Sequence, residues 1–417
     1  MDAVILSIGN ELTLGQTVDT NSAWLSQQLA AIGVRVRMHA TVADELEPIR
    51  DVLDRTARTA DVVLVSGGIG PTADDLTRHA LAAAMGVDLV LHPPSVDRIR
   101  EFFDRRGRAM PEANTVQAMF PAGATPIENT CGTAPGIRAR LHRADVFVMP
   151  GVPREMKEMF TRDVLPALAA RTGGAVLLAR TINTYGAGES DVGERIRDLM
   201  QRGRNPTVGT TAQQTIIGIR IHAFGPTREE ARRLLDADAA EVRRRLGDLV
   251  FGEDDETLAH AVAKLLFERK QTVATAESCT GGLIAKSLTD IPGSSEYFRN
   301  GFVTYSNESK TRFIQVPEDL IVRHGAVSRP VASAMAENTR RISRTDYAIS
   351  ATGIAGPGGG TPDKPVGLVY FGLAHAGGCD VHERRFGSEM TREEIRDRAC
   401  KFALNLLRLK LLETMSR

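Results

Sequence analysis

Apolar runs alternate with helical patterns through the first 170 residues, and this alternation constrains the fold more than any other feature. Residues 3–8 form an apolar run before Gly9, and the strand predicted over 61–65 is apolar from Val62 onward and precedes Gly67 and Gly68. Between them, residues 21–32 repeat apolar side chains at helical spacing. Apolar strands joined by helices are typical of a parallel sheet covered by helices. Ligands bind such sheets at the carboxyl ends of the strands, where these glycines lie.

Weaker patterns divide the rest of the chain into two more domains. At 417 residues the chain exceeds one typical domain. Gly173 and Gly174 precede a short α+β pattern, and a second α/β pattern begins near Glu253. We therefore predict an α/β domain over 1–170, a small α+β domain over 171–253 and a second α/β domain over 254–417. The spacing of apolar residues predicts further helices over 74–85, 190–201, 228–246, 257–269, 330–342 and 392–412, and further strands over 145–149, 176–184, 207–211, 215–224, 272–276, 347–351 and 366–374.

Composition narrows the class of protein. The 52 basic and 52 acidic residues cancel, so the chain as a whole has no electrostatic attraction to nucleic acid or to an anionic membrane. The four cysteines form no CxxC pair or disulfide framework, which favours a reducing compartment. No apolar run approaches the ~18 residues that span a bilayer. We expect a cytoplasmic enzyme or binding protein. The cysteines are Cys131, Cys279, Cys379 and Cys400.

Residues that suit amide or ester hydrolysis cluster in the last domain. Ser278 follows an apolar strand and precedes a helix predicted to start near Gly281. Unpaired helix N–H groups there could stabilise an oxyanion. Lys310 could act as the general base if burial lowers its pKa. The small-residue loop over 352–360 could bind an anion, and Arg392 and Arg396 could pair with a phosphate.

Each of these residues also has an ordinary structural interpretation. Serine is a favoured helix N-cap, so Ser278 could simply end the turn before the helix. Lys310 could be a solvated surface lysine, and Tyr305, which could orient Lys310 or relay a proton, could be a half-buried tyrosine bonded to backbone. Cys279 could compete as the nucleophile, or it could be a small buried hydrophobe.

The C-terminal motifs resemble one enzyme family. Residues 276–282, 304–310, 325–328, 350–357 and 364–367 are similar to the CinA C-terminal family of nicotinamide mononucleotide (NMN) deamidases. The resemblance implies hydrolysis of the NMN carboxamide to nicotinic acid mononucleotide and ammonia, with no metal or organic cofactor. Matched motif by motif, it implies Ser278 as the nucleophile, Lys310 as the base and Tyr305 beside them. It further implies a substrate pocket that includes Ser295, Thr352, Gly353, Gly356 and Arg392.

A glycine-rich segment in the first domain suggests a second site. Residues 66–75 follow a strand, open a helix and hold Gly67, Gly68 and Gly70, which would let a phosphate approach the helix N-terminus. Asp74 and Asp75 could hold a divalent metal that bridges phosphate oxygens. The alternative is a tight turn followed by a helix that Thr72 and Asp75 cap.

This segment resembles the molybdopterin-binding, MoaB/MogA-like fold of CinA N-terminal domains. Further matches lie at 9–12, at 19–21, at 129–136 and at 150–156, and they add Glu11 and Asn21 to the expected nucleotide site. The resemblance implies metal-dependent ADP-ribose pyrophosphatase activity, a KH-like middle domain and a homodimer. Family members often have a basic pair where this chain has Thr115 and Val116, and the loss of two cations could weaken diphosphate binding or abolish turnover.

Three hypotheses remain open for the whole chain. The first is a salvage enzyme with both activities, acting on NMN and ADP-ribose as small-molecule partners. In the second, the N-terminal domain only binds a nucleotide or molybdopterin. The third is an accessory factor for DNA uptake or repair, but direct nucleic-acid binding is not expected because Gly186-Ala187-Gly188-Glu189 lacks the second glycine of a GXXG loop.

Overall fold

The computed structural model describes residues 1–213 and 215–413. The described residues form two compact units, one made of Met1–Ala179 and His222–Ala237 and the other of segments from Arg180–Ile221 and Asp238–Arg417. None of the described helices is both long enough and apolar enough to cross a lipid bilayer.

The first 170 residues fold as an α/β domain. Four neighbouring strands, β2, β1, β3 and β8, are mutually parallel, in the sheet order β2-β1-β3-β8-β7-β6. The strands are β1 (Asp2–Ile8), β2 (Arg35–Val42), β3 (Val62–Ser66), β4 (Leu89–Leu91), β5 (Met119–Pro121), β6 (Thr125–Ile127), β7 (Gly136–Leu141) and β8 (Ala144–Met149). The helices are α1 (Asn10–Thr13), α2 (Thr20–Ala31), α3 (Leu46–Thr59), α4 (Thr77–Met85), α5 (Pro93–Asp104), α6 (Pro153–Met159) and α7 (Leu165–Ala169), with a 3₁₀ helix over Glu112–Ala118 and a π turn over Phe160–Val164.

The predicted parallel core is confirmed, and its central strand is buried along its whole length. All five residues of β3 are buried, which explains its continuous apolar sequence. Strand β7 pairs antiparallel with β8, and β6 pairs antiparallel with β7, so the sheet is mixed rather than purely parallel. Strands β4 and β5 pair separately.

The helix predicted over 74–85 begins three residues later, at Thr77. The Asp75 carboxylate accepts hydrogen bonds from Gly70 N (2.6 Å), Thr72 N (2.9 Å) and Thr72 Oγ1 (2.5 Å). The Thr72–Asp75 pattern therefore closes the glycine-rich loop upon itself and does not cap the helix, whose preceding residue is Leu76.

The middle region builds a four-stranded sheet in the order β10-β11-β9-β12. The elements are β9 (Val176–Tyr185), α8 (Glu189–Arg195), β10 (Thr207–Gln213), β11 (Ile216–Gly225), α9 (Arg228–Leu246), a 3₁₀ turn (Gly247–Leu249) and β12 (Val250–Glu253). Strands β10 and β11 are neighbours, as predicted for a hairpin. Helix α8 ends at Arg195, earlier than the predicted residue 201.

The last domain contains a five-stranded sheet in the order β14-β13-β15-β16-β17. Strand β13 is parallel to β14 and β15. Strand β16 pairs antiparallel with β15, and β17 pairs antiparallel with β16. The strands are β13 (Val273–Glu277), β14 (Phe298–Val303), β15 (Tyr347–Gly353), β16 (Leu368–His375) and β17 (Gly378–Arg385). The helices are α10 (Leu258–Arg269), α11 (Leu283–Thr289), α12 (Asn307–Ile314), α13 (Glu318–His324), α14 (Arg329–Ser343) and α15 (Arg392–Glu413), with a 3₁₀ turn over Ser294–Glu296.

Helices cover both faces of this sheet. Ile349 and Ala351 of β15 pack into a core with α10 and α15. The alternate residue Ser350 faces α14, where its hydroxyl donates to Ala332 O at 2.6 Å. This arrangement buries β13 and β15 at the centre and places their carboxyl ends side by side.

Candidate functional sites

The end of β13 brings Ser278 and Lys310 together. Lys310 Nζ lies 3.2 Å from Ser278 Oγ and donates to Thr304 O at 2.8 Å. Lys310 is 1% exposed, although it lies in the first turns of a surface helix. Burial lowers the pKa of its ammonium, because the charged form loses its hydration. The structure therefore excludes the solvated surface lysine and places an amine within hydrogen-bonding distance of a hydroxyl.

Ser278 is not a helix cap. Helix α11 begins at Leu283, and the residue before it is Gly282. The first-turn amides are bound by the buried Glu277 carboxylate, which accepts from Gly282 N (3.0 Å), Ile284 N (3.1 Å) and Ala285 N (2.8 Å). The capping alternative for Ser278 therefore fails.

The Glu277 carboxylate also changes the expected oxyanion site. The sequence predicts a helix that starts near Gly281, with unpaired amides open near Ser278. The helix does start close to Gly281, at Leu283, but the prediction of open amides is wrong, because three of them already bind Glu277. Any oxyanion donor must come from elsewhere around Ser278.

Cys279 is buried beside the serine and is a poor rival nucleophile. It is 5% exposed, and burial raises the pKa of its thiol to about 12. A thiol needs its thiolate form to attack. The buried-hydrophobe interpretation fits this residue.

A second group of predicted residues lies near the carboxyl end of β15. Ser278 N donates to Ala351 O at 2.9 Å, so Thr352 and Gly353 follow directly beside the serine. Thr352 is 1% exposed and its hydroxyl donates to Ala326 O at 2.8 Å. The predicted small-residue loop therefore starts at the serine.

Arg392 links this loop to Tyr305. Its guanidinium donates to Gly356 O at 2.7 Å and to the Tyr305 hydroxyl at 2.6 Å. Tyr305 is exposed, and its hydroxyl is bound by a side chain, not by the backbone that the structural alternative required. Arg396, one turn further along α15, donates to Thr280 O at 3.0 Å and so contacts the serine turn.

Ser295 does not join this group within one chain. It precedes β14, whose Phe298 pairs with Val273 at the start of β13. Ser278 follows the other end of β13, and the parallel strands rise ~3.3 Å per residue, so about 16 Å of strand separates the two ends. The structure brings Ser278, Lys310 and Thr352 together at the carboxyl ends of the strands, and it leaves Ser295 near their amino ends.

The glycine-rich loop of the N-terminal domain lines a cleft of about 430 Å³. The cleft lies at the carboxyl ends of the parallel strands, as such sheets predict. A Cβ at Gly67 would lie 2.3 Å from Ile8 O, and one at Gly68 would lie 2.1 Å from Thr77 Oγ1. The loop can therefore pack this tightly only with glycine at these two positions. The predicted residues that line the cleft are Glu11, Gly67, Gly68, Gly70, Thr72, Asp74 and Asp75.

Asn21 plays a different part from the one expected. Its Nδ2 donates to Ser66 Oγ at 2.9 Å and to Gly151 O at 2.8 Å, so it ties together the ends of β3 and β8. It stabilises the ends of these two strands and is not among the residues that line the cleft.

Carboxylates gather at one end of this cleft. Burial raises the pKa of Asp44, and the nearby charges of Glu11, Asp74 and Asp75 raise it further. Such mutual repulsion is relieved by a bound cation. Asp75 is the least suited to metal binding, because both of its oxygens already accept hydrogen bonds from the loop. Over the described residues, no three His, Cys, Asp or Glu side chains are gathered as a ready metal site.

Two residues at this cleft were not predicted as site residues. Arg78 is 1% exposed, and its guanidinium donates to Gly70 O (3.1 Å) and to Ile69 O from beneath the loop. Gln117 is 2% exposed and lines the cleft, and its Oε1 accepts from Asn114 Nδ2 at 2.9 Å. A buried polar residue gives no clear sequence signal before its neighbours are known.

The family models match all three parts of the chain. A "Probable molybdopterin binding domain" matches residues 4–170, a "Damage-inducible protein CinA KH domain" matches 179–252, and a "CinA C-terminal domain" matches 255–411.

Full-length relatives match over nearly the whole chain. A competence-damage inducible protein from Symbiobacterium thermophilum is 43% identical over 99% of both chains. A CinA-like protein from Dictyoglomus thermophilum is 41% identical over 99% of this chain and all of its own. The crystal structure of the competence/damage inducible protein CihA from Agrobacterium tumefaciens is 43% identical, with a TM-score of 0.36, over 37% of this chain and 93% of its own. The chain is therefore a member of the CinA family.

Proposed function

We propose that the C-terminal domain hydrolyses the carboxamide of NMN to nicotinic acid mononucleotide and ammonia, with Ser278 as the nucleophile and Lys310 as the base. One observation carries the proposal: the buried Lys310 amine lies 3.2 Å from Ser278 Oγ. This separation is within the range over which a base removes a proton from its nucleophile.

The environment of Lys310 supports its role as a base. A lysine must lose its proton to act as one, and an ordinary pKa of ~10.4 leaves little neutral amine at pH 7. Burial favours the neutral form. One N–H can then donate to Thr304 O while the lone pair faces the Ser278 hydroxyl.

The reaction proceeds in two halves. Ser278 Oγ attacks the carboxamide carbon as its proton passes to Lys310 Nζ, and the C–N bond breaks as Lys310 returns that proton to the departing amide nitrogen, which leaves as ammonia. Lys310 next takes a proton from water, whose oxygen attacks the Ser278 ester. The acid is released as Lys310 returns the proton to Ser278 Oγ.

The test is ammonia release from NMN by the full chain and its variants. Ser278→Ala and Lys310→Met should each lower kcat by about 10³-fold or more, as for other nucleophile and base removals. Cys279→Ala and the exposed Lys286→Met are matched controls that should retain activity. Full activity in Ser278→Ala would reject the nucleophile, and no ammonia from the unaltered chain would reject the reaction.

For the N-terminal domain we propose metal-dependent hydrolysis of ADP-ribose to AMP and ribose 5-phosphate. The observation that favours it is the cleft itself, in which a glycine-rich loop faces a group of carboxylates. Mg²⁺ typically uses one or two carboxylates together with substrate phosphates. The oxygen donors present fit that ion, and Asp74 with Asp44 would hold it, where it would neutralise diphosphate charge.

AMP release from ADP-ribose, with and without Mg²⁺, tests this second activity. Asp74→Asn should abolish release, whereas Asp104→Asn, an exposed change at the end of α5, should not. Binding of ADP-ribose by equilibrium dialysis without any AMP would instead favour the binding-module hypothesis.

A further inference from the structure

A large cleft in the second compact unit lies apart from both proposed active sites. It measures about 1120 Å³, and its walls come from the loop after β9, the end of α9, β17 and α15. Ser278, Lys310 and Thr352 are not among its lining residues, and all of its residues lie within one compact unit. A cleft of this size accommodates a nucleotide-sized molecule.

A buried tyrosine presents an unused hydroxyl to this cleft. Tyr185 is 8% exposed and lines the cleft. Its hydroxyl has no hydrogen-bond partner in the part of the chain that the structure describes. The hydroxyl oxygen itself is not sealed in the protein, so it opens into the cleft and is available to a ligand.

An asparagine on the opposite wall is held with its amide donors free. Asn405 is 7% exposed, and its Oδ1 accepts from Arg408 Nε at 3.0 Å. Arg408 is fixed in turn, because it donates to Val250 O at 3.0 Å and to Asp248 O at 2.5 Å. With its oxygen bound in this way, Asn405 presents its NH₂ group, which has no partner among the described residues, to the cleft.

The wall contributed by the last domain is aromatic and basic. Phe402 lines it, with the Arg384 guanidinium 4.5 Å from the centre of its ring. Arg398 also lines it and forms no salt bridge among the described residues, although its charge acts on Glu394, one turn earlier on α15. The described residues on this wall include no Asp or Glu. Aromatic and arginine side chains together suit a flat ring and an anionic group.

The facing wall carries acids as well as one further arginine, Arg195. Glu189 and Asp191 line it, and Thr210 Oγ1 donates to Glu189 Oε1 at 2.7 Å. Carboxylate oxygens accept hydrogen bonds from sugar hydroxyls but repel phosphate. A ligand with its phosphate toward the arginines and its hydroxyls toward these acids satisfies both walls.

We propose that this cleft is a separate binding site for a nucleoside monophosphate, in which Tyr185 and Asn405 donate hydrogen bonds and Arg384 and Arg398 bind the phosphate. The site is independent of the two proposed activities. A nucleotide bound there would lie in the same compact unit as Ser278 and Lys310 without contacting either residue.

Photolabelling of the full chain tests the site. The probe is 8-azido-AMP, with AMP, adenosine and inorganic phosphate as separate competitors, followed by mass-spectrometric mapping of the labelled peptides. We expect label in peptides that contain residues 185–189 or 402–409, and AMP should compete better than adenosine or phosphate alone. Label elsewhere in the chain serves as the internal reference for occupancy of other nucleotide sites.

Two variants that preserve shape give the decisive comparison. Tyr185→Phe removes only the hydroxyl and should weaken labelling of these peptides about three- to tenfold. Asn405→Asp keeps the acceptor for Arg408 but replaces the donor with a negative charge, so it should weaken labelling by about tenfold or more. Tyr370→Phe and Asn338→Asp are matched controls. No label in either peptide, or undiminished label in both variants, overturns the proposal.

Discussion

Replacing Glu277 with Gln tests whether the buried carboxylate holds the serine turn in place. Glu277 is 0% exposed, and its two oxygens accept three amides from the start of α11. Glutamine keeps the shape but has only one acceptor oxygen. If that oxygen takes the place of Oε2, the new NH₂ group faces Ala285 N, so a donor meets a donor.

The expected destabilisation follows from these three bonds. Leaving Ala285 N unpaired costs about 1–3 kcal/mol, and changing the other two bonds from charged to neutral costs about 1 kcal/mol each. The total is about 4 kcal/mol, which corresponds to ~10³ in the local opening equilibrium. Ser278 follows Glu277 directly, so NMN turnover should fall with it.

Hydrogen exchange followed by mass spectrometry measures this opening locally, without assuming that the whole chain unfolds in one step. Amides of 282–289 should exchange up to ~10³-fold faster in Glu277→Gln. The exposed Glu296→Gln is the matched control and should leave exchange unchanged. If exchange in Glu277→Gln stays within about threefold of the unaltered protein, the carboxylate does not support the turn and the reasoning is refuted.

Three further predictions follow from single residues. Because burial lowers the pKa of Lys310, kcat/KM for NMN should rise with pH along a limb centred below 10.5. The free energy of unfolding should also rise with pH between the lowered pKa and 10.5, because in that interval only the unfolded chain holds the proton. A rate independent of pH would contradict this reasoning. Gln117→Leu should weaken ADP-ribose binding about three- to tenfold in equilibrium dialysis, because it removes a polar group from the cleft and leaves the Asn114 amide without its acceptor. Arg78→Met should speed hydrogen exchange of residues 69–75 about 30-fold, since two loop carbonyls lose a charged donor worth about 2 kcal/mol.

The central strands were predictable because each is buried on both faces. Strand β15 is buried from Tyr347 to Thr352, so its sequence is apolar or small throughout. Edge strands lack this constraint. Strand β14 reads FRNGFV and is mostly exposed, and β17 reads GCDVHERR, so neither gives an apolar run. Their pairing partners, not their own residues, make them strands.

The role of Ser278 could not be decided from its own position in the sequence. A serine before a helix is equally typical of a cap and of a nucleophile. The structure separates the two because Glu277, the preceding residue, binds the helix amides and leaves the serine hydroxyl beside Lys310. Glu277 was not predicted as a site residue, since an acid at the end of an apolar strand is normally exposed.

The fold shows where Thr115 and Val116, which depart from the family pattern, lie relative to the N-terminal cleft. Both residues lie in the 3₁₀ helix Glu112–Ala118, in which side chains three apart share a face. Asn114 and Gln117 therefore point the same way, and Gln117 lines the cleft whereas positions 115 and 116 do not. The expectation that losing two cations weakens diphosphate binding or abolishes turnover stays a prediction. The fold places one buried amide, that of Gln117, at the cleft, and it keeps Thr115 and Val116 out of the cleft lining.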